Sequence, residues 1–254
     1  MSTLDQTLSQ SGIADGDIAD VKVRWLLPVV MVVLVAANLG ITFLPGFSVV
    51  IAIVVATVLV VIAKVAGHNA ESLGLKLNKR SVIWAAGIGV AVWSSWLLIG
   101  WAATRFGFAG ALMQDDRNTG LSFQALLWSL LVVIPVGTVL LEEIGFRSVL
   151  MGEVQRLAHT KVKHPVFFAG LIVSILFGLW HIGPALAQAN ASDVSGPDRI
   201  VLIIGTVLFT AASGGLFAWL RWHTKSVVTP AVLHAAVNGA GLLVVWLLAQ
   251  NLFA

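Results

Sequence analysis

Cysteine is absent from this 254-residue chain, and charge is scarce. Without cysteine there are no disulfides, no thiolate metal ligands and no thiol nucleophile. Only 11% of the residues are charged, against ~25% in an ordinary soluble domain. Hydrophobic residues make up 58%, and the mean hydropathy is +0.96. A chain this apolar cannot hide its surface in one water-soluble core and needs a bilayer as solvent. Other absences narrow the chemistry. There is no His-Glu-x-x-His helix and no phosphate-binding glycine loop. No inverted repeat or pair of broken helices is visible, which argues against a small ion-coupled carrier. A net charge of +3 and a pI near 9.6 would suggest nucleic acid in a soluble protein. Here the basic residues sit between apolar runs, so membrane topology explains them and no nucleic-acid partner is expected.

What remains is a succession of apolar runs, each close to the ~20 residues that cross a bilayer. They are approximately Trp25–Leu44, Phe47–Ala66, Val82–Ala103, Phe123–Leu141, Val166–Ile182, Ile200–Leu220 and Val227–Leu248. The expected fold class is all-α, a polytopic transmembrane helical bundle of about seven spans. Residues 1–23 read as a polar tail, with Asp5, Asp15, Asp17 and Asp20, unlike the basic start of a signal peptide. Residues 24–121 hold three spans and an amphipathic connector, His68–Arg80. Gly107–Gly120 and Ala185–Asp198 read as the other long loops. His68, His159, His164 and His223 fall in charged loops and are expected to be solvated.

Basic residues divide unevenly between the two ends of the spans. Lys22, Arg24, Lys64, Lys76, Lys79, Arg80, Arg147, Arg156, Lys161, Lys163, Arg221 and Lys225 fall to one side, and only Arg105, Arg117 and Arg199 to the other. The positive-inside rule then puts the N-terminus in the cytoplasm and the C-terminus outside, in a plasma (inner) membrane.

The fourth run does not stop cleanly. It passes through Glu142-Glu143-Ile-Gly-Phe-Arg147 and continues in apolar residues. A charge at membrane depth costs ~2.5–3.5 kcal/mol even on insertion scales, so these groups need partners or a wet cavity. Glu143 and Arg147 are spaced i, i+4 with the acid first, the favourable order for an ion pair. Glu142 points about 100° away on an α-helix and is left to face a cavity, where a carboxylate can serve as a base. The fifth run ends Phe177-Gly-Leu-Trp-His181, with Phe177 and His181 on one face. The loop between these helices centres near Lys161, 19 residues after Glu142 and 20 before His181, so antiparallel packing brings the two to similar depth. In the seventh run His234 and Asn238 are again i, i+4. Polar residues in an apolar helix rarely face lipid.

Glu-Glu-x-x-x-Arg, Phe-x-x-x-His and His-x-x-x-Asn, in this order on separate membrane helices, resemble the CAAX-processing and bacteriocin-processing protease family, also called CPBP or Abi. The resemblance covers residues 122–250 as an expected protease core. It implies an intramembrane endopeptidase in which Glu142 and His181 activate a water and His234 and Asn238 polarise the scissile carbonyl. Glu143, Arg147 and Phe177 are supporting residues in this reading. The cofactor stays open between none and zinc; a zinc ion would draw on Glu142, His181 and His234. The cavity is expected to open to the cytoplasmic side or to lipid. Expected partners are membrane lipid and a peptide or membrane-protein substrate; the sequence gives no oligomeric state. The alternative is a non-catalytic immunity or peptide-binding protein of the same fold.

Overall fold

The computed structural model describes residues 25–109 and 120–253. The polar tail and the basic residues Lys22, Arg24 and Arg117 lie outside them. Among the described residues there is no strand, and seven helices are long and apolar enough to cross a membrane. The protein is an all-α, seven-span membrane bundle.

The elements are α1 (Leu26–Phe43), α2 (Ser48–Val65), α3 (Lys79–Phe106), α4 (Phe123–Ala158), α5 (Pro165–Trp180), α6 (Ile182–Ala191), α7 (Gly196–Thr224) and α8 (Val228–Ala249). Their ends follow local chemistry. Asn78 caps α3, accepting from the Ser81 N–H at 2.9 Å while the Ser81 hydroxyl accepts from the Asn78 N–H at 3.2 Å. Gly107, at φ 78°, supplies the left-handed residue that ends α3. The stretch expected to be a loop after Ala185 is largely helical, because α6 is rich in alanine and carries Pro184 in its first turn, where proline is tolerated.

Long α4 is the centre of the bundle. All residues from Leu141 to Leu150 are buried, so this segment has no lipid-facing side. Its backbone is wound as π-helix over Ser129–Leu140 and again over Glu143–Leu150. Pro135 lies inside the first stretch; it has no N–H to donate and crowds the preceding turn. Around α4, α2 packs along its length, α1 against α2, α5 along α7 and α8 along α3. Two of the closest helix–helix approaches are made at glycine. A Cβ at Gly145 would lie 2.6 Å from Leu34 Cδ2, and one at Gly178 would lie 2.7 Å from the Val207 carbonyl oxygen. These glycines let α1 approach α4, and α7 approach α5. The outer surface displays Val32, Phe43, Val65, Val90 and Val201, as contact with hydrocarbon requires.

One of the histidines expected to be solvated is buried, and another, His223, is half-buried against aromatic rings. His68 is buried, with Nε2 2.9 Å from Glu153 Oε2 and Nδ1 3.3 Å from the Ser72 hydroxyl. The connector after α2 folds inward onto α4, where Arg156 also reaches Glu153 Oε2 at 2.5 Å and donates to the Ala66 carbonyl at 2.7 Å. His223 stacks on Trp219 at 5.0 Å, meets Trp84 edge-on and bonds to Arg80.

Candidate active site

Glu142, Glu143 and Arg147 come from the buried half of α4, and His234 reaches them from the second turn of α8. His234 bridges the two glutamates. Its Nδ1 is 3.0 Å from Glu143 Oε1, and its Nε2 is 3.7 Å from Glu142 Oε2. The α-helical expectation sent these carboxylates about 100° apart. The wider π-helix turns each residue through a smaller angle, which helps one imidazole lie against both.

The Glu143–Arg147 ion pair forms at 3.3 Å. It is a charge contact without hydrogen-bond alignment, because the guanidinium also lies flat among aromatic rings. Its carbon is 3.9 Å from the centre of Phe177 and 4.8 Å from that of Phe217. A desolvated cation–π contact contributes ~2 kcal/mol or more. Phe177 is the hub of this box. It meets Phe146, His181 and His234 edge-on and holds Arg147 over its face. Phe217 in turn stacks on the His234 ring at 5.0 Å.

Glu142 is held differently. The indole N–H of Trp180 donates to its Oε1 at 3.1 Å. Its Oε2 is buried and bonds to no donor among the described residues. Trp180 is fixed by the chain itself. Its backbone carbonyl would normally accept from the residue four positions on, but that residue is Pro184, which has no N–H. Asn38 of α1 supplies the donor instead, with Nδ2 3.1 Å from the Trp180 oxygen. The helix breaks at His181, the last cap residue of α5.

His181 lies half-buried one residue beyond Trp180 and makes no ion pair with Glu142. Its Nδ1 is 2.8 Å from the Phe177 carbonyl. A carbonyl only accepts, so Nδ1 carries the proton and Nε2 keeps its lone pair in the neutral ring. Asn238 is exposed on α8, one turn beyond buried His234. The structure therefore joins Glu142, Glu143, Arg147, Phe177 and His234 by direct contact, and His181 through Phe177. Asn238 makes no side-chain hydrogen bond among the described residues.

Beside Glu142 is a pocket of about 200 Å³ lined by Asn38, Ile41, Thr42, Gly137, Thr138, Leu141, Glu142, Trp180 and Pro184. On every helix these residues lie from Glu142 toward the end away from the Lys/Arg-rich loops. Among the described residues no three His, Asp or Glu side chains are spaced to hold a metal ion. Glu142 and His234 converge as two donors, but His181 does not complete the set.

Sequence reasoning missed Trp180, Asn38 and Glu153. The signal for the first two was Pro184, four residues after Trp180, which leaves a carbonyl without its helical donor. Glu153 carried no signal beyond being an acid three residues before Arg156.

Residues 123–240 match a family described as type II CAAX prenyl endopeptidase Rce1-like. This segment resembles the CAAX-processing intramembrane protease family. It contains α4 through most of α8, and hence every residue of the cluster except Asn38. No curated protein and no solved structure matches the chain.

Proposed function

We propose that this protein is an intramembrane endopeptidase of the CAAX type that hydrolyses a peptide bond with a water activated by Glu142. The observation that carries the reading is the asymmetric holding of that carboxylate. Oε1 is anchored by Trp180, while Oε2 is buried, without a protein donor and 3.7 Å from His234 Nε2. One water can touch both atoms, and a general base must lie within such reach of its proton.

In this account Glu142 takes a proton from water as the water oxygen attacks the scissile carbon, then gives that proton to the leaving amine as the tetrahedral intermediate collapses and the C–N bond breaks. The lone pair of His181 Nε2 assists the water. His234, held through Nδ1 by Glu143, turns Nε2 toward the developing oxyanion. Asn238 adds an amide donor from the same helix. Glu143 and Arg147 hold His234 in place. Exclusion of bulk water strengthens each of these contacts. The pocket admits one side chain with its peptide unit, so the substrate meets Glu142 as an extended segment. The N-terminus lies in the cytoplasm and the C-terminus outside, following the basic residues, in a plasma (inner) membrane.

The test uses the purified full chain in lipid nanodiscs with internally quenched peptides, prenylated CAAX tails among them. Wild-type protein should cleave at least one, and His181→Ala should lower kcat about 100-fold or more, in the range of lost acid–base catalysis. An inactive wild type on every peptide, with the substitutions equally silent, favours a binding protein of the same fold.

A further inference from the structure

A second cavity, larger than the one beside Glu142, lies away from the glutamates. It lies on the outer flank of the bundle between α5 and α7, with a volume of about 820 Å³, inside the ~300–1,000 Å³ typical of ligand sites. Its floor is made of small residues, Gly170, Ala211, Gly215 and Ala218, which leave a furrow between the helices. Its mouth carries Lys163 and His164, both exposed, with Trp219 and Trp222 as walls. Lys225 lies beside the same mouth, its Nζ 5.7 Å from the centre of the Trp222 ring. No carboxylate lines the cavity.

Depth and charge identify the occupant. From Lys163 to Ser174 is 11 residues, a rise of roughly 17 Å. That is close to the ~15 Å of hydrocarbon in one leaflet. The cationic mouth lies at the Lys/Arg-rich end of the bundle, where tryptophans mark the headgroup level and basic pockets between helices take anionic lipid heads. We propose that this furrow is a binding site for an anionic glycerophospholipid, with one acyl chain along Gly170 and Gly215 and the phosphate beside Lys163 and Lys225. The inference is independent of the proposed peptidase.

The experiment is native mass spectrometry of the full chain equilibrated with equal phosphatidylglycerol and phosphatidylcholine. Phosphatidylglycerol should be retained preferentially. Lys163→Gln, on an exposed loop, should lower that retention about fivefold while leaving phosphatidylcholine unchanged, the effect of one interfacial cation. Gly170→Leu should displace both lipids; a Cβ there meets nothing nearer than Ala218 Cβ at 3.6 Å, so the backbone tolerates it. Gly170→Ala, which leaves the furrow open, should retain lipid like wild type. Equal retention of the two lipids by wild type overturns the proposal. So does phosphatidylglycerol retention that neither Lys163→Gln nor Gly170→Leu changes. A dimer that Gly170→Leu abolishes would overturn it in favour of a second copy of the chain.

Discussion

The Trp180 indole donates its N–H to Oε1 of Glu142 at 3.1 Å, tying the end of α5 to the middle of α4. This bond fixes one carboxylate oxygen and leaves the other for a water. Trp180→Phe removes the donor but keeps a ring that can pack on Phe146, now 5.4 Å away. Hydrogen bonds to charged groups contribute ~1.5–3 kcal/mol. A fall in kcat of about tenfold or more is expected, with KM nearly constant and thermal unfolding little changed. An equal fall in Trp180→Phe stability would mean the contact serves packing.

Asn38 and Pro184 are predicted to be coupled. Asn38→Leu leaves the Trp180 carbonyl without a donor and should cost ~1–3 kcal/mol. Pro184→Ala restores the N–H four residues on. The double variant should therefore be more stable than Asn38→Leu alone, with a coupling of ~0.5–3 kcal/mol in a double-mutant cycle. Strict additivity would show that the Asn38 contact has another role.

Arg147 compensates buried negative charge. Arg147→Ala should destabilise the protein by ~3–5 kcal/mol, because Glu143 loses its guanidinium partner in a dry interior and keeps only His234. Arg147→Lys keeps the charge but loses the flat stacking on Phe177, so an intermediate loss is expected. Thermal unfolding in detergent measures both.

The account also predicts insensitivity to metal removal. Cleavage should survive treatment with a chelator, and zinc should be far below one ion per chain. Chelator-sensitive cleavage restored by zinc would replace the water-activating carboxylate with a metal.

The spans were legible because composition alone demands a bilayer, and each run is long enough to be recognised. The Glu143–Arg147 pair was legible because i, i+4 neighbours meet on almost any helix. Depth matching along the α4–α5 hairpin placed His181 level with Glu142, whereas Trp180, one residue earlier, makes the contact. Contacts that cross between helices were harder to read. His234 reaches both glutamates from another helix, and hydrophobic periodicity does not report such a contact. His68 looked like a loop histidine, yet the connector folds inward and Glu153 is buried with it. Such inward folding depends on tertiary packing that no local pattern encodes.

The most direct measurement compares the two adjacent acids. Full-length Glu142→Gln and Glu143→Gln, each verified as folded, are assayed for cleavage beside wild type in the same nanodiscs. Glu142→Gln is predicted to lose activity by ~100-fold to 10,000-fold, the range for a general base, with little change in stability. Glu143→Gln is predicted to lose less activity and more stability, since it weakens the Arg147 and His234 contacts. Full cleavage by Glu142→Gln would contradict the account.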